Sequence, residues 1–260
     1  LPAHYGNAAL PAIAAVCLLR RKPYIRPAQQ GRRMFFPADL IRLAPDARLR
    51  ALATPGRHEQ LARAAAVLAD GGAAIVVDEA ALGGRGRGFF LHAASLATAE
   101  VVNLAIRWGR GLTCFSVTPE QAMQLGLLMA GEYREGYHGP IALRSVEAAT
   151  CDGTGISAAD RAETLRAAGA PEAGIASLKS PGHVIPVMIA YRGREHRAVA
   201  DIALDVLRHL TTHEVAAWTD ILDDDGDVAS AAACQALADR LGLTCLGIAD
   251  AFGAQALGAA

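Results

Sequence analysis

From His58 onward, short aliphatic runs alternate with stretches of helical periodicity, and that alternation restricts the chain to layered folds of helices on a sheet. Residues 59–70 place Leu61, Ala65, Val67 and Leu68 along a helical face, and Gly71 and Gly72 stop it. Residues 73–77 read as a buried strand, 78–88 as a glycine-rich loop and 89–93 as a second strand. A helix over 98–108 has Thr98 as its cap and Glu100 in its first turn. After a strand over 112–117, Thr118 and Pro119 open a helix over 118–127, with threonine at the cap and proline at the first helical position. Further strands are expected at 141–148, 183–190, 215–222 and 243–248, with helices at 157–168, 196–210 and 231–241. The proline inside 183–190 points to an edge strand or a bulge. Several strand-to-strand connections lack a helix. The expected class is therefore α+β, an α/β-layered single domain with a mixed sheet flanked by helices. Hydrophobic residues make up 52% of the chain and aromatics only 5%, so its core should be aliphatic.

Residues 1–57 read differently. Pro2, Pro11, Pro23, Pro27, Pro37, Pro45 and Pro55 leave no room for a long periodic helix, and Arg20, Arg21, Lys22, Arg32 and Arg33 make the stretch basic. It is expected to be an extension, either an arm packed on a partner subunit or a poorly ordered tail, preceding a domain over 58–260. The formal net charge of −1 gives no global attraction for nucleic acid or an anionic membrane. The early apolar run at 8–19 contains a proline and is too short to span a bilayer. Basic residues follow it instead of preceding it, which is the wrong order for a secretory signal. Five cysteines, Cys17, Cys114, Cys151, Cys234 and Cys245, occur without a CxxC spacing. An odd, scattered set fits a reducing cytoplasm better than a disulfide framework or a structural zinc site.

Five separated strings carry a family likeness. They are Gly109-Arg110-Gly111-Leu112-Thr113-Cys114 with Thr118-Pro119-Glu120, then Thr154-Gly155-Ile156-Ser157-Ala158-Ala159-Asp160-Arg161. Pro181-Gly182-His183-Val184-Ile185-Pro186 follows, then Asp224-Asp225-Gly226 with Ala229, and finally Ile248-Ala249-Asp250. Together and in this order they resemble the 3,4-dihydroxy-2-butanone 4-phosphate synthase family. Those enzymes of riboflavin synthesis convert ribulose 5-phosphate to a four-carbon ketone phosphate and formate, with magnesium. The resemblance implies the family's fold, a homodimer with sites near the subunit interface, and catalytic roles for Cys114, His183, His196 and Asp220. It also places Thr154, Ser157, Asp160, Arg161, His138 and Arg197 at a pocket for a small anionic metabolite.

The departures fall at the family's acidic loop, which is close to DDEDRENEGD. Here residues 78–88 read DEAALGGRGRG, with Arg85 and Arg87 where the family has the two glutamates of ENE. Magnesium takes hard oxygen ligands in octahedral geometry, which arginines cannot supply. Only Asp78 and Glu79 remain acidic. His196 matches the family's metal-binding histidine, but Arg197 replaces the threonine after it. Asp220 replaces a glutamate, shortening the reach of the carboxylate. Tyr137 and His138 fall where the family has a different string. The expectation is no metal ligand, and no cofactor unless the parent activity is retained, in which case magnesium.

Each candidate has a plainer alternative. Cys114 could be a buried small hydrophobe, His183 a turn residue and His196 a surface histidine. Arg85 and Arg87 could be solvated charge, or could bind a phosphate or carboxylate from a glycine-lined loop. Arg161 and Asp160 could simply pair, and the acidic turn at 223–227 could be only a turn. Three functions follow. The first is a lyase-type enzyme acting by acid/base chemistry on another small phosphorylated or carboxylated carbonyl compound, in specialised metabolism and without magnesium. The second is the authentic synthase. The third is a non-catalytic ligand-binding relative.

Overall fold

The computed structural model describes residues 55–132, 140–189 and 198–252. The N-terminal extension up to residue 54 lies outside them, as do Tyr137, His138, His196 and Arg197. Helices are α1 (Pro55–Ala69), α2 (Ala99–Gly109), α3 (Pro119–Gln124), α4 (Ala158–Gly169), α5 (Val199–Leu210), α6 (Ala231–Leu241) and α7 (Ile248–Phe252). Strands are β1 (Ala74–Asp78), β2 (Arg87–Ala93), β3 (Cys114–Val117), β4 (Ile141–Ala142), β5 (Val146–Ala148), β6 (Leu178–Met188), β7 (Ala216–Asp220) and β8 (Cys245–Gly247). They form one mixed sheet in the order β4-β6-β3-β7-β2-β1-β8, with β5 also paired to β6. The α+β, layered expectation holds.

Alternation along each strand sends neighbours to opposite faces. Val76, Phe89, Leu91, Cys114, Trp218 and Leu246 pack in one cluster with α1 and α5 residues such as Leu68, Ile202 and Leu207. Phe115, Val117 and Ala217 pack on the other face with Val102 of α2 and Leu165 of α4, while Ile75, Val77 and Phe90 meet Leu237 of α6. The capped starts are as read: Thr98 accepts from the Val101 N–H, Thr118 from Gln121 and Ser157 from Asp160.

Three expectations need correction. The first helix starts at Pro55, earlier than residue 59. The segment 141–148 divides into β4 and β5. The strand expected at 183–190 starts at Leu178 and is interior, with β3 on one side and β4 and β5 on the other. Pro186 is tolerated there because the Ile185 N–H donates to the Thr113 carbonyl just before β3, so the proline nitrogen faces the other side, where β4 and β5 are discontinuous. An irregularity does occur, but earlier than the expected stretch around Pro186: Val146 and Glu147 pair with Val184 and Lys179, so residues 180–183 bulge out of β6.

Candidate active site

Strand register brings the distant motifs to one end of the sheet. Cys114 opens β3 opposite Ile185 of β6 and Trp218 of β7. Asp220 of β7 is opposite Phe89 of β2, and Arg87 of β2 is opposite Asp78 of β1. Side chains recur on one face every second residue, so His183, Cys114, Asp220, Arg87 and Asp78 share a face at the same sheet edge.

The glycines of the first motif hold Asp220 from below. A methyl group on Gly111 would stand 2.6 Å from the Asp220 carbonyl oxygen, and one on Gly109 would stand 2.9 Å from it. Only a residue without Cβ lets the chain run so close. Between them, Arg110 caps α2 in the left-handed conformation, with φ 66°. Its guanidinium donates to the Asp223 carbonyl at 2.9 Å and to Asp224 Oδ1 at 2.8 Å, which ties α2 to the acidic turn. His183 is placed in a similar way. The Ser180-Pro181 peptide is cis, and a methyl group on Gly182 would lie 2.0 Å from the Val146 carbonyl carbon. The bulge is therefore pressed onto β5, with the His183 side chain left exposed.

The third motif reaches the same edge through Arg161. Its Nε donates to the Ile156 carbonyl at 2.9 Å and its Nη1 to Thr113 Oγ1 at 3.2 Å, next to Cys114. Burial lowers the Arg161 pKa. Arg161 thus does not pair with Asp160, whose carboxylate lies beside Gly153. Ser157 caps α4, and Thr154 is exposed on the loop before it. Glu147 was missed in the sequence. Its Oε1 stands 3.5 Å from Lys179 Nζ, and its carboxylate packs against Gly155, whose φ is 72°. A lone acid inside the apolar stretch 141–148 was the available signal.

Electrostatics separate the candidates. Burial pushes the Cys114 thiol up to about 12, and the Asp220 carboxylate adds to the effect. Such a thiol stays protonated at neutral pH, so Cys114 can donate a hydrogen bond but is no ready thiolate. Burial also raises the Asp220 carboxyl, and the Arg87 charge moderates the rise. A carboxyl so placed is suited to exchange a proton.

Both arginines of the glycine-rich segment stand beside carboxylates of the chain itself. Arg85 donates to Asp227 Oδ2 at 3.0 Å and to the Val228 carbonyl, and lies 3.6 Å from Asp223 Oδ2. The anions that Arg85 faces belong to its own chain. Arg87 Nη2 lies 3.6 Å from Asp78 Oδ2. Glu79 turns the other way, toward the Ala249 N–H and Asp250 at the start of α7; burial is the main cause of its raised pKa. The two remaining loop acids are thus separately engaged. Among the described residues no group of three or more His, Cys, Asp or Glu side chains is placed to hold a metal ion. Among the described residues, the carboxylates of Asp78 and Asp220 stand beside a guanidinium and do not make up the set of oxygen ligands that magnesium takes.

A cavity of about 440 Å³ lies at the opposite end of the sheet, lined in part by Ser95, Gln121, Gln124, Gly169, His213 and Glu214. It contains none of the candidate residues. Register brings Cys114, His183 and Asp220 together, while His196, His138 and Arg197 lie outside the described residues. Cys114, Cys151, Cys234 and Cys245 are all buried free thiols. No described helix is long and apolar enough to cross a membrane.

The fold, a mixed sheet between helical layers, has counterparts among solved structures. A two-domain 3,4-dihydroxy-2-butanone 4-phosphate synthase from A. baumannii superposes with a TM-score of 0.64 at 30% identity, over 75% of this chain and 56% of that one. A 3,4-dihydroxy-2-butanone 4-phosphate synthase in complex with two magnesium ions gives 0.62 at 28% identity, over 72% of this chain and 91% of that one. The sequence profile described as 3,4-dihydroxy-2-butanone 4-phosphate synthase matches residues 62–252, and the chain belongs to that family. The synthase of Oceanobacillus iheyensis is 34% identical over 184 residues, which are 70% of this chain and 87% of that protein. The synthase of Pseudomonas aeruginosa is also 34% identical, over 63% of this chain. The riboflavin biosynthesis protein RibBA of Rhodococcus erythropolis is 31% identical over 75% of it. The chain spans only 45% and 46% of the length of these last two.

Proposed function

We propose that the chain is a lyase-type enzyme acting by acid/base chemistry on a small phosphorylated or carboxylated carbonyl compound. The reaction is enolisation, dehydration or carbon–carbon cleavage beside the carbonyl. The observation that carries this reading is the shared face and edge of Cys114, His183 and Asp220. Asp220 takes a proton from the carbon beside the carbonyl. Cys114, held as a thiol, donates toward the substrate, and exposed His183 serves proton exchange at the mouth of the site. Arg161, Ser157 and Thr154 support substrate binding from the neighbouring loop. A metal-independent reaction in specialised metabolism, a homodimer, a small anionic ligand and no dealings with nucleic acid or membrane belong to the same proposal.

Authentic conversion of ribulose 5-phosphate to 3,4-dihydroxy-2-butanone 4-phosphate and formate is the second reading. It is favoured by 34% identity across 87% of the Oceanobacillus synthase. Incubation with ribulose 5-phosphate and related ketose phosphates in deuterated water, with magnesium or with chelator, separates the two. Our reading expects deuterium exchange beside the carbonyl that survives chelator and is lost in Asp220→Asn. Formate release abolished by chelator would establish the second reading. Neither exchange nor formate with any compound would leave a ligand-binding relative.

A further inference from the structure

Arg87 opens β2 opposite Asp78, and its Nη2 stands 3.6 Å from Asp78 Oδ2. Two residues further on, Phe89 pairs with Asp220, which puts Asp220 on the diagonal from Arg87 and on the same face. Diagonal neighbours on a sheet are within reach of a long side chain. The charge of Arg87 is felt there, since it holds the Asp220 carboxyl lower than burial alone would. The pair is also shielded: the side chains of Arg87 and Asp78 retain 23% and 13% of their exposure.

Asp78 and Asp220 stand on the two strands that flank β2, and a cation between two carboxylates favours the charged form of both. Hard divalent ions favour such oxygen donors. Here the cation is supplied by the chain itself. A guanidinium keeps its charge at any pH a protein experiences, so it is a permanent occupant. Arg85, two residues earlier, cannot share this role because Asp223, Asp227 and the Val228 carbonyl engage it.

We propose that Arg87 is a tethered counter-ion that holds the carboxylates of Asp78 and Asp220 and closes this sheet edge to divalent metal ions. The inference concerns charge balance at the edge and does not depend on which substrate is turned over.

Manganese, whose free ion is counted by its paramagnetic resonance signal, is the probe, added to the full chain at neutral pH. The wild-type protein is expected to leave the free signal undiminished through the micromolar range. Arg87→Gln should gain a saturable site at least about tenfold tighter than any in the wild type, because a unit positive charge beside a divalent ion is removed. Adding Asp78→Asn to Arg87→Gln should remove that site, which separates it from the acidic turn at 223–227. Arg87→Lys, which keeps the charge, should stay closed. Tight stoichiometric manganese binding by the wild type, lost in Asp78→Asn, would overturn the proposal, and this arm needs no arginine variant to fold. Manganese binding no tighter in a folded Arg87→Gln than in the wild type would overturn it as well.

Discussion

Two regions meet Asp220 from different sides and constrain it in different ways. The segment 109–114 packs Gly109 and Gly111 on the Asp220 backbone, with contacts too close for any side chain. The loop 79–86 leads into Arg87 of β2, whose charge is felt at the Asp220 carboxyl. The first region fixes where the carboxyl stands, and the second fixes the charge it stands beside. Steric constraints of the first kind tolerate almost no substitution, whereas a charge at the end of a strand can change without disturbing the sheet.

Glycine replacements test that contrast most strongly. Gly182→Ala drives a methyl group to 2.0 Å from the Val146 carbonyl carbon. It should cost more than about 4 kcal/mol or prevent folding. Gly111→Ala, at 2.6 Å from the Asp220 carbonyl oxygen, should cost about 3 kcal/mol. Gly83, in the loop, has φ 68° and nothing within 4 Å of an added methyl group. Gly83→Ala should cost only about 1 kcal/mol, from backbone conformation alone. Urea denaturation followed by circular dichroism ranks the three, and a Gly83 penalty as large as that of Gly111 would break the comparison.

The two ends of β2 offer a second contrast. Arg87 keeps a charge at one end, while His92, near the other, is fully buried with its pKa lowered by burial to about 4. In the unfolded chain a histidine titrates near 6.5, so this lowered value contributes stability that is complete above that pH and lost as pH falls toward 4. From pH 8 to pH 4 the His92 contribution should fall by about 3 kcal/mol. His92→Gln should flatten that part of the pH profile; an unchanged profile would mean that His92 is not held neutral.

The smallest effects separate the two loop arginines. Arg87→Ala leaves Asp78 and Asp220 without their shielded counter-ion and should cost about 2 kcal/mol, less than a fully buried pair. Arg85→Ala removes an exposed pairing with the acidic turn and should cost about 0.5 kcal/mol. Equal costs in thermal melts would remove the distinction drawn between them.

Helix starts were legible because Thr98, Thr118 and Ser157 satisfy backbone donors within one turn, a local matter of sequence. The scaffold of the site was legible through Gly111 and Gly182, whose motifs record close backbone approaches. The partners of Arg85 and Arg87 were not. Arg85 meets Asp227 across 142 positions of chain, and only the β1–β2 and β2–β7 registers determine which arginine faces Asp220. The short helix α7 was missed because its five residues carry no periodic signal. Glu147 was missed because a single acid in a strand has no pattern until its partners Lys179 and Gly155 are brought beside it.

A crystal structure of the full chain grown with millimolar manganese, with anomalous data collected at the metal edge, tests the central claim most directly. The account predicts the Arg87 guanidinium against Asp78 and Asp220, with no anomalous density at their carboxylates. A manganese ion bound to those carboxylates, with Arg87 turned out to solvent, would contradict it.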